Sequence, residues 1–496
     1  MHKTDSDGYE WETISPDLTA FEADKQVISG SPITRDITGE EYYSTLYSIR
    51  ESPLQEGLIW TGSNDGVISV TKDSGKTWEN VTPKKLPKGG RVESIAASQH
   101  DVATAYIAVD RHLLGDFRPY LYKTNDYGAS WTLLSTESNG IPSDHSTRVL
   151  REDPVKPGLL YAGTEYGMFV SFDDGMSWKS FQQNLPKTPI TDIKVFRGDL
   201  VLSTMGRGFW ILDNITSLRQ DGITNRGNAP MLFAPDDTYR YQYPKVSTPS
   251  FPEYPRTAVY IDYYLPKEME TGIQLDILDA TGKVVSSIVS DSTLIKTSVE
   301  EEENMDLSTT FRLVNPKLED KKGLHRFAWD LRTKGAWHKD KKRRFKGGPM
   351  ALPGRYTVQL TYGENQLKKE FNILMDHKTQ QQGMSKSVLT TQQNMQLEVM
   401  TLLSEAREFE ASLEKEIKVL KKPDGKANSD TLAHKESILS ALQNAKGAYP
   451  QQMLLSQIRY LQFAVGGSAD QLPGKDTQIR LQELKKALQQ LKAQAP

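Results

Sequence analysis

A turn motif that ends in tryptophan, D-x-G-x-[ST]-W, recurs along this chain and constrains its fold more than any other feature of the sequence. The three full copies follow one another at intervals of about 50 residues, which fits four-stranded propeller blades of about 40–50 residues. Short runs of β-branched and aromatic residues flank the copies, as expected for antiparallel strands. The copies read TKDSGKTW at 71–78, TNDYGASW at 124–131 and SFDDGMSW at 171–178, with a weaker one, TDSDGYEW, at 4–11.

The residue types in the motif indicate a structural role. An aspartate accepts hydrogen bonds from the amides of a tight turn, glycine supplies a positive φ, and a tryptophan buries a large apolar surface against neighbouring strands. We therefore expect each copy to hold the hairpin between the third and fourth strands of a blade. The residues with this predicted role are Asp73, Gly75, Trp78, Asp126, Gly128, Trp131, Asp173, Gly175 and Trp178.

The repeat predicts about four blades, with incomplete blades at both ends. The first copy ends at Trp11, which leaves no room for two earlier strands, and the last repeat, 190–214, supplies three strands without the motif. An open arc of blades would leave bare strand edges. We expect a fragment whose missing blades lie elsewhere, for instance in another chain; a small closed propeller of about four or five blades is the alternative.

A second β-rich region follows a stretch rich in Pro, Asp and Tyr. Its strands alternate apolar and polar residues with period two, which predicts a small two-sheet sandwich of the immunoglobulin-like type. The segment DATGK at 279–283 predicts a hairpin turn. One face of two strands carries the apolar residues Phe327, Trp329, Leu331, Tyr356, Val358, Leu360 and Tyr362.

The last part of the chain changes to a helical period. Its apolar residues recur at steps of three and four, which predicts amphipathic helices packed as a bundle or hairpin. The predicted fold is therefore mainly β with an α-helical C-terminus. The stripes are Met395, Val399, Leu402, Ala406, Phe409, Leu413 and Leu420, then Leu454, Ile458, Leu461 and Val465, then Leu481, Leu484, Leu488 and Leu491, and Pro423 and Gly425 end the first helix. The predicted domains are the propeller at 1–220, a linker or edge segment at 221–250, the sandwich at 251–376 and the helical part at 377–496.

Composition excludes several classes of function. The chain has 496 residues, a net charge of −3 and no cysteine, so disulfides and thiolate catalysis are excluded and bulk charge does not favour nucleic acid. The N-terminus has no apolar run typical of a signal peptide, and no segment is apolar over a membrane-spanning length. The eight histidines are scattered and no H-E-x-x-H, G-x-S-x-G or P-loop motif occurs, so we predict no metal and no cofactor. The basic run at 338–348 is interpreted as a solvated loop, with a polyanion contact as the alternative.

A ligand site in a propeller is expected where the loops between the second and third strands converge. The repeat that ends at Trp131 departs most from the others, because VDRHLLGDFRPY at 109–120 adds several residues there. Charged residues in these loops are the ligand-binding candidates, and no catalytic residue is assigned. As the alternative, Asp110 with Arg111 and Asp116 with Arg118 pair with each other for structural reasons. The candidates are Asp65, Asp110, Arg111, Asp116, Arg118, Glu165 and Arg207.

The motif and its surroundings resemble Asp-box (BNR) repeats, and more specifically the C-terminal half of large bacterial sortilin-like propeller proteins that are often labelled glycosyl hydrolases. The resemblance extends from about Trp11 to the last helix. The segments that carry it are 15–19, SPDLT; 41–53, EYYSTLYSIRESP; 117–131, FRPYLYKTNDYGASW; 159–175, LLYAGTEYGMFVSFDDG; and 203–214, STMGRGFWILDN.

The resemblance implies an exported protein, extracellular or periplasmic, that binds a peptide, a protein or a glycan without catalysis. Two alternatives stay open. One is a glycoside hydrolase whose active site needs additional N-terminal blades. The other is a structural subunit of a cell-envelope complex.

Overall fold

The computed structural model divides into two compact units, Met1–Thr224 and Asn225–Pro496. No helix in the described part of the chain has both the length and the apolar character that a membrane crossing requires. The residues described are 1–26, 43–136, 138–224, 227–241, 257–290, 318–340, 343, 347–421, 429–445, 450–466 and 469–495.

The first unit is a series of antiparallel sheets built in chain order, as the repeat predicts. A two-stranded sheet, β1–β2, is followed by three four-stranded sheets, β3–β6, β7–β10 and β11–β14, and by the three-stranded sheet β15–β17. The strands are β1 (His2–Lys3), β2 (Glu12–Thr13), β3 (Leu46–Glu51), β4 (Ile59–Ser63), β5 (Ile68–Thr71), β6 (Glu79–Asn80), β7 (Arg91–Ala97), β8 (Ala105–Asp110), β9 (Tyr120–Thr124), β10 (Thr132–Leu133), β11 (Thr147–Glu152), β12 (Leu160–Thr164), β13 (Gly167–Ser171), β14 (Lys179–Ser180), β15 (Ile190–Phe196), β16 (Asp199–Thr204) and β17 (Phe209–Leu212).

Consecutive sheets pack face to face, so that the first strand of each sheet contacts the first strand of the next. Apolar side chains fill the spaces between them, for example Trp60, Ile107 and Tyr122 between the first two four-stranded sheets. Tyr106 and Phe169 belong to the equivalent cluster between the next two. This arrangement of meander sheets is a β-propeller arc, and we call each sheet from β3 onward a blade, numbered one to four.

In each full motif turn, the aspartate accepts hydrogen bonds from groups of the same turn. In the turn at 71–78, Asp73 accepts hydrogen bonds from the Thr77 amide at 2.9 Å and from the Thr77 hydroxyl at 2.7 Å. The Thr71 hydroxyl accepts from the Gly75 amide at 2.9 Å. The hydrogen bonds from Thr77, aided by the one from Thr71, lower the pKa of Asp73 to about 2. The same bonds recur in the other turns, with donors Ser130 to Asp126 and Ser177 to Asp173, and in the weak copy the Ser6 hydroxyl accepts from the Glu10 amide instead.

Each tryptophan of the three full motifs joins its blade to the preceding sheet. Trp178 is 4% exposed and its indole N–H donates to the Leu134 carbonyl at 2.9 Å. Leu134 follows β10, the outermost strand of blade two. The equivalent bonds run from Trp78 to Ile14 at 2.8 Å and from Trp131 to Val81 at 2.6 Å. The motif hairpins therefore fasten each outer strand to the sheet before it.

The second unit begins with a β-sandwich. A three-stranded sheet has the order β18-β20-β23, a five-stranded sheet has the order β19-β25-β24-β21-β22, and one apolar core contains residues of both. The core includes the apolar face predicted at 327–331 and 356–362, so that prediction is confirmed. The strands are β18 (Met231–Leu232), β19 (Thr238–Arg240), β20 (Val259–Leu265), β21 (Gln274–Asp279), β22 (Val284–Val289), β23 (Gly323–Trp329), β24 (Gly354–Tyr362) and β25 (Asn365–Met375).

Part of the segment predicted as a linker or edge belongs to the sandwich. β18 pairs with β20, and β19 adds in parallel to β25 at the edge of the larger sheet. These two strands have only two and three residues, too few to show an alternating pattern, and the Pro residues elsewhere in the segment favoured a linker. The DATGK hairpin joins β21 to β22, with the Asp279 carboxylate accepting from the Thr281 amide at 2.9 Å.

The C-terminal part is helical, and the predicted stripes form its core, except that Leu420 at the end of the first stripe does not belong to it. The first long helix begins at the N-cap Ser385, whose hydroxyl accepts from the Val388 amide at 3.3 Å. Pro423 and Gly425, predicted to end it, lie outside the described residues. The helices are α1 (His377–Gln381), α2 (Lys386–Leu420), α3 (Ser429–Leu442), α4 (Leu454–Gly466) and α5 (Lys475–Ala493).

A buried ion pair joins the sandwich to the helices within this unit. Arg240 of β19 is 6% exposed and donates through both terminal nitrogens to Asp470, which lies between α4 and α5. The Arg240 Nε also donates to the Ala351 carbonyl at 3.0 Å. Each of the three guanidinium nitrogens therefore donates at least one hydrogen bond, and the charge of the buried arginine is paired.

Candidate functional site

The loops between second and third strands lie at the end of the blades opposite the motif hairpins, because successive connections in a meander alternate between the two ends. We call this end the loop face. Its loops are 64–67, 111–119, 165–166 and 205–208. The second is longest and contains a short 3-10 turn, His112–Leu114.

A bulge recurs near the start of the first strand in every blade. The pairing register shifts by one residue there, so one side chain is inserted at the loop-face end of each first strand. The inserted positions are Tyr47 between Leu46 and Ser48, Glu93 between Val92 and Ser94, Arg148 between Thr147 and Val149, and Thr191 between Ile190 and Asp192.

The bulges and loops of blades two and three together build a cluster of charged side chains. The Asp110 carboxylate, 2% exposed, contacts the His112 Nδ1 and accepts from the His112 amide at 3.0 Å. Arg148 donates through Nε to Glu165. One potential ligand atom from each of Asp110, His112 and Glu165 lies within 4.8 Å of the others. We call Asp110, His112 and Glu165 the triad.

Glu93 lies beside the triad and is only partly neutralised. Its side chain is 7% exposed and its ion pairs are long, 3.5 Å to Arg91 and 3.8 Å to Arg148. Burial raises the pKa of Glu93, the Asp110 charge raises it further, and the two arginines lower it in part. The guanidinium of Arg91 also stacks over Tyr47, 4.6 Å from the ring centre.

A second network holds the long loop of blade two. Asp116 accepts from Arg118 at 2.8 and 2.9 Å, from Arg111 at 3.1 Å and from the Tyr120 hydroxyl at 2.7 Å. The Arg118 hydrogen bond, with those from Tyr120 and Arg111, holds the pKa of Asp116 below its usual range. Arg111 also donates to the carbonyls of the loop at 87–89. The Asp116–Arg118 pair weighed in the sequence therefore forms, whereas Asp110 pairs with His112 and not with Arg111.

Two further candidates do not join the cluster. Asp65 is 4% exposed and accepts from the Ala20 amide at 2.9 Å and from the Ser63 hydroxyl, so its carboxylate joins the N-terminal segment to the end of β4. Arg207 is exposed, and none of the ion pairs in the described part of the chain includes it.

A shallow cleft of about 100 Å³ opens beside Asp110 and His112. Exposed apolar side chains surround this part of the loop face: Leu113 is 73% exposed, Leu114 and Phe117 are each 53% exposed, and Tyr166 is 49% exposed. The cleft is lined by Tyr43, Asn64, Gly90, Arg91, Asp110, Arg111, His112, Leu113 and Leu114.

The basic run at 338–348 belongs to the second unit. Lys339 pairs with Glu414 of α2 at 3.0 Å, and the backbone of neighbouring Trp337 binds Ser404 and Arg407 of the same helix. Positions 341–342 and 344–346 of the run are outside the described residues.

Sequence reasoning missed Glu93, Arg148 and His112 as site residues. His112 lies inside the inserted loop, but in the sequence it is one of eight scattered histidines and no metal or catalytic motif includes it. Glu93 and Arg148 lie on first strands, which the repeat marks as structural. Aligning the four first strands, LYSI, VESI, TRVL and ITDI, does reveal the signal: one position carries Tyr47, Glu93, Arg148 or Thr191, and none of these is aliphatic.

No protein-family model matches the chain. Comparison with curated protein sequences also gives no match. Among solved structures, the chain resembles the GH74 xyloglucanase from Xanthomonas campestris, at 14% identity and a TM-score of 0.28 over 34% of this chain and 29% of that one. It resembles YCF48 from Cyanidioschyzon merolae, at 18% identity and a TM-score of 0.26 over 34% of this chain and 54% of that one.

A structure of YCF48 bound to D1 peptide is also similar, at 15% identity and a TM-score of 0.27 over 45% of this chain and 63% of that one. The chain thus spans less than two thirds of the length of each of these proteins.

Proposed function

We propose that the chain is a sortilin-like binding protein, in which Asp-box blades precede an Ig-like sandwich and a helical bundle, and that it acts outside the cytoplasm. Its loop face binds an extended peptide segment of a partner protein, and the motif hairpins serve only to hold the blades. The turn hydrogen bonds of Asp73 and its two equivalents support this division of roles.

One observation carries the proposal: the loop face combines paired charges with exposed apolar side chains around a shallow cleft. Arg148 pairs with Glu165 and Arg118 pairs with Asp116, so these carboxylates accept from neighbouring residues. The cleft of about 100 Å³ is below the roughly 300–1,000 Å³ of sites that enclose a small molecule. Exposed Leu113 and Phe117 suit the apolar side chains of a peptide.

A matched pair of surface substitutions tests the proposal. Leu113 on the loop face and Met176 in a motif hairpin are 73% and 75% exposed, so neither supports the core. Peptides are selected on the full chain from a displayed random library, and binding is then measured for Leu113→Asp and Met176→Asp. We expect Leu113→Asp to weaken binding at least about tenfold and Met176→Asp to leave it unchanged. Equal effects of the two substitutions, or no selected peptide, would contradict the proposal.

A glycoside hydrolase is the second candidate, and one distance favours it. Carboxylate oxygens of Asp110 and Glu165 approach within 4.8 Å, near the roughly 5–5.5 Å between the two carboxyl groups of retaining glycosidases. Turnover of a glycan panel by the parent, lost in both Asp110→Asn and Glu165→Gln, would establish this activity. Asp110 already contacts His112 and Glu165 already accepts from Arg148. Because of these contacts, and because the cleft is too small for a sugar ring, we expect no turnover by the parent.

A further inference from the structure

We propose that the triad of Asp110, His112 and Glu165 binds a divalent transition-metal ion such as Zn²⁺. The three side chains offer two carboxylate oxygens and one imidazole nitrogen within 4.8 Å of one another. This is the mixed nitrogen and oxygen ligand set that zinc accepts, whereas magnesium and calcium prefer oxygen alone.

The distances suit one ion. Zinc–nitrogen and zinc–oxygen bonds are about 2.0–2.2 Å long, so two ligand atoms of one tetrahedral ion lie about 3.3–3.6 Å apart. The triad atoms lie within 4.8 Å of one another, so they reach this spacing after a contraction of at most about 1.5 Å, which rotations of the partly exposed His112 and Glu165 side chains provide. Asp110 is held at the end of β8 and is 2% exposed, so the least mobile ligand is already in place.

The charge balance around the triad gives an independent reason for a cation. Three carboxylates meet here, those of Glu93, Asp110 and Glu165, whereas two guanidiniums, those of Arg91 and Arg148, face them. Of the three carboxylates, Glu93 has the weakest charge compensation, because its side chain is 7% exposed and its pairs to Arg91 and Arg148 are 3.5 and 3.8 Å long. A buried carboxylate without a close counter-charge is costly, and a cation on the adjacent triad relieves that cost.

Arg148 does not prevent metal binding. Its Nε donates to one oxygen of Glu165, Oε1, and the other oxygen can bind an ion. A hydrogen bond to a ligating carboxylate is a common way to orient the ligand. We therefore assign Arg148 as a positioning residue. Three protein ligands leave a fourth position open beside the cleft, as in zinc sites that also take an exogenous ligand.

Calorimetric titration of the full chain with Zn²⁺ after treatment with EDTA tests the inference. We expect one equivalent to bind with a dissociation constant in the micromolar range or below. His112→Ala should weaken binding at least about 100-fold and Glu165→Gln about 10–100-fold. Glu165→Gln keeps an acceptor for Arg148, so it preserves the fold if His112→Ala does not. The matched control is His100→Ala, because His100 lies at the hairpin end of the blades and binds the Asp153 carbonyl.

The inference fails if the parent binds no zinc, or if His112→Ala and His100→Ala bind it equally. It rests on the proposed function in using the same face of the blades, yet the two have separate readouts. A chain that binds zinc but no peptide refutes only the proposed function. A chain that binds peptide in EDTA and never binds zinc refutes only the metal site.

Discussion

Replacing Trp178 by phenylalanine should destabilise the propeller unit, because this side chain fastens blade three to blade two. Trp178 is 4% exposed and donates to the Leu134 carbonyl at 2.9 Å. Loss of this hydrogen bond costs about 1 kcal/mol, since the Leu134 carbonyl keeps a second donor, the side-chain Nδ2 of Asn139. The smaller ring leaves a void that costs about 1–2 kcal/mol more. The free energy of unfolding should therefore fall by about 2–3 kcal/mol.

Trp11 provides the matched control. It is 62% exposed, and its indole donates to Gly8 within its own turn at 3.1 Å. Trp11→Phe should therefore change stability by less than about 0.5 kcal/mol. The two variants make the same chemical change, so the difference between them measures the contact with the preceding sheet.

Amide hydrogen exchange is the suitable assay, because it reports the opening free energy of each unit separately. We expect Trp178→Phe to reduce protection in β9, β12 and β13 by about 2–3 kcal/mol and to leave β24 of the second unit unchanged. In a thermal scan, the propeller transition should fall by about 4–10 °C. Equal effects of Trp178→Phe and Trp11→Phe, or no effect of either, would refute the role given to the motif tryptophans.

Three further predictions follow from charged groups. Asp470→Asn leaves the buried Arg240 unpaired and should cost about 3 kcal/mol in the second unit, measured by hydrogen exchange; a loss below about 1 kcal/mol would contradict this. Thr77→Val removes the hydroxyl hydrogen bond that is the largest cause of the low pKa of Asp73, so carboxyl NMR should show that pKa rising from about 2 toward 3.8. The ionised Asp73 stabilises the folded state above about pH 4, and this stabilisation is lost as the pH falls toward 2, so it should be smaller in the variant. An unchanged titration of Asp73 would contradict this prediction. Burial raises the pKa of Glu93 above 4.5, so the parent should lose stability as the pH rises through that raised value. Glu93→Gln cannot ionise, so this loss of stability should be absent when the variant is melted at a series of pH values. Identical pH profiles of the parent and the variant would refute the prediction.

The repeat made much of the fold predictable, since one motif indicated the strands, their hairpins and the order of the blades. What the motif letters do not show is the conformation of the variable residue before each glycine. Ser74, Tyr127 and Asp174 all have φ near +60°, a region that favours glycine or asparagine. The hydrogen bonds of the turn impose this conformation, so residue preference alone does not reveal it.

The site was less predictable, for a geometric reason. Asp110 and Glu165 were found because they lie beside or within loops that the repeat identifies. Glu93 and Arg148 enter the site through one-residue bulges, and a bulge does not alter the composition of a strand. The contact of His112 with Asp110 depends on the 3-10 turn in the inserted loop, which no part of the repeat predicts.

The most direct test of the central claim, that the loop face binds and the hairpins only hold the blades, is hydrogen exchange of the full chain with and without a peptide selected on it. We expect added protection in 111–119 and 165–166 and none in 71–78 or 124–131. Protection confined to the motif hairpins would contradict it.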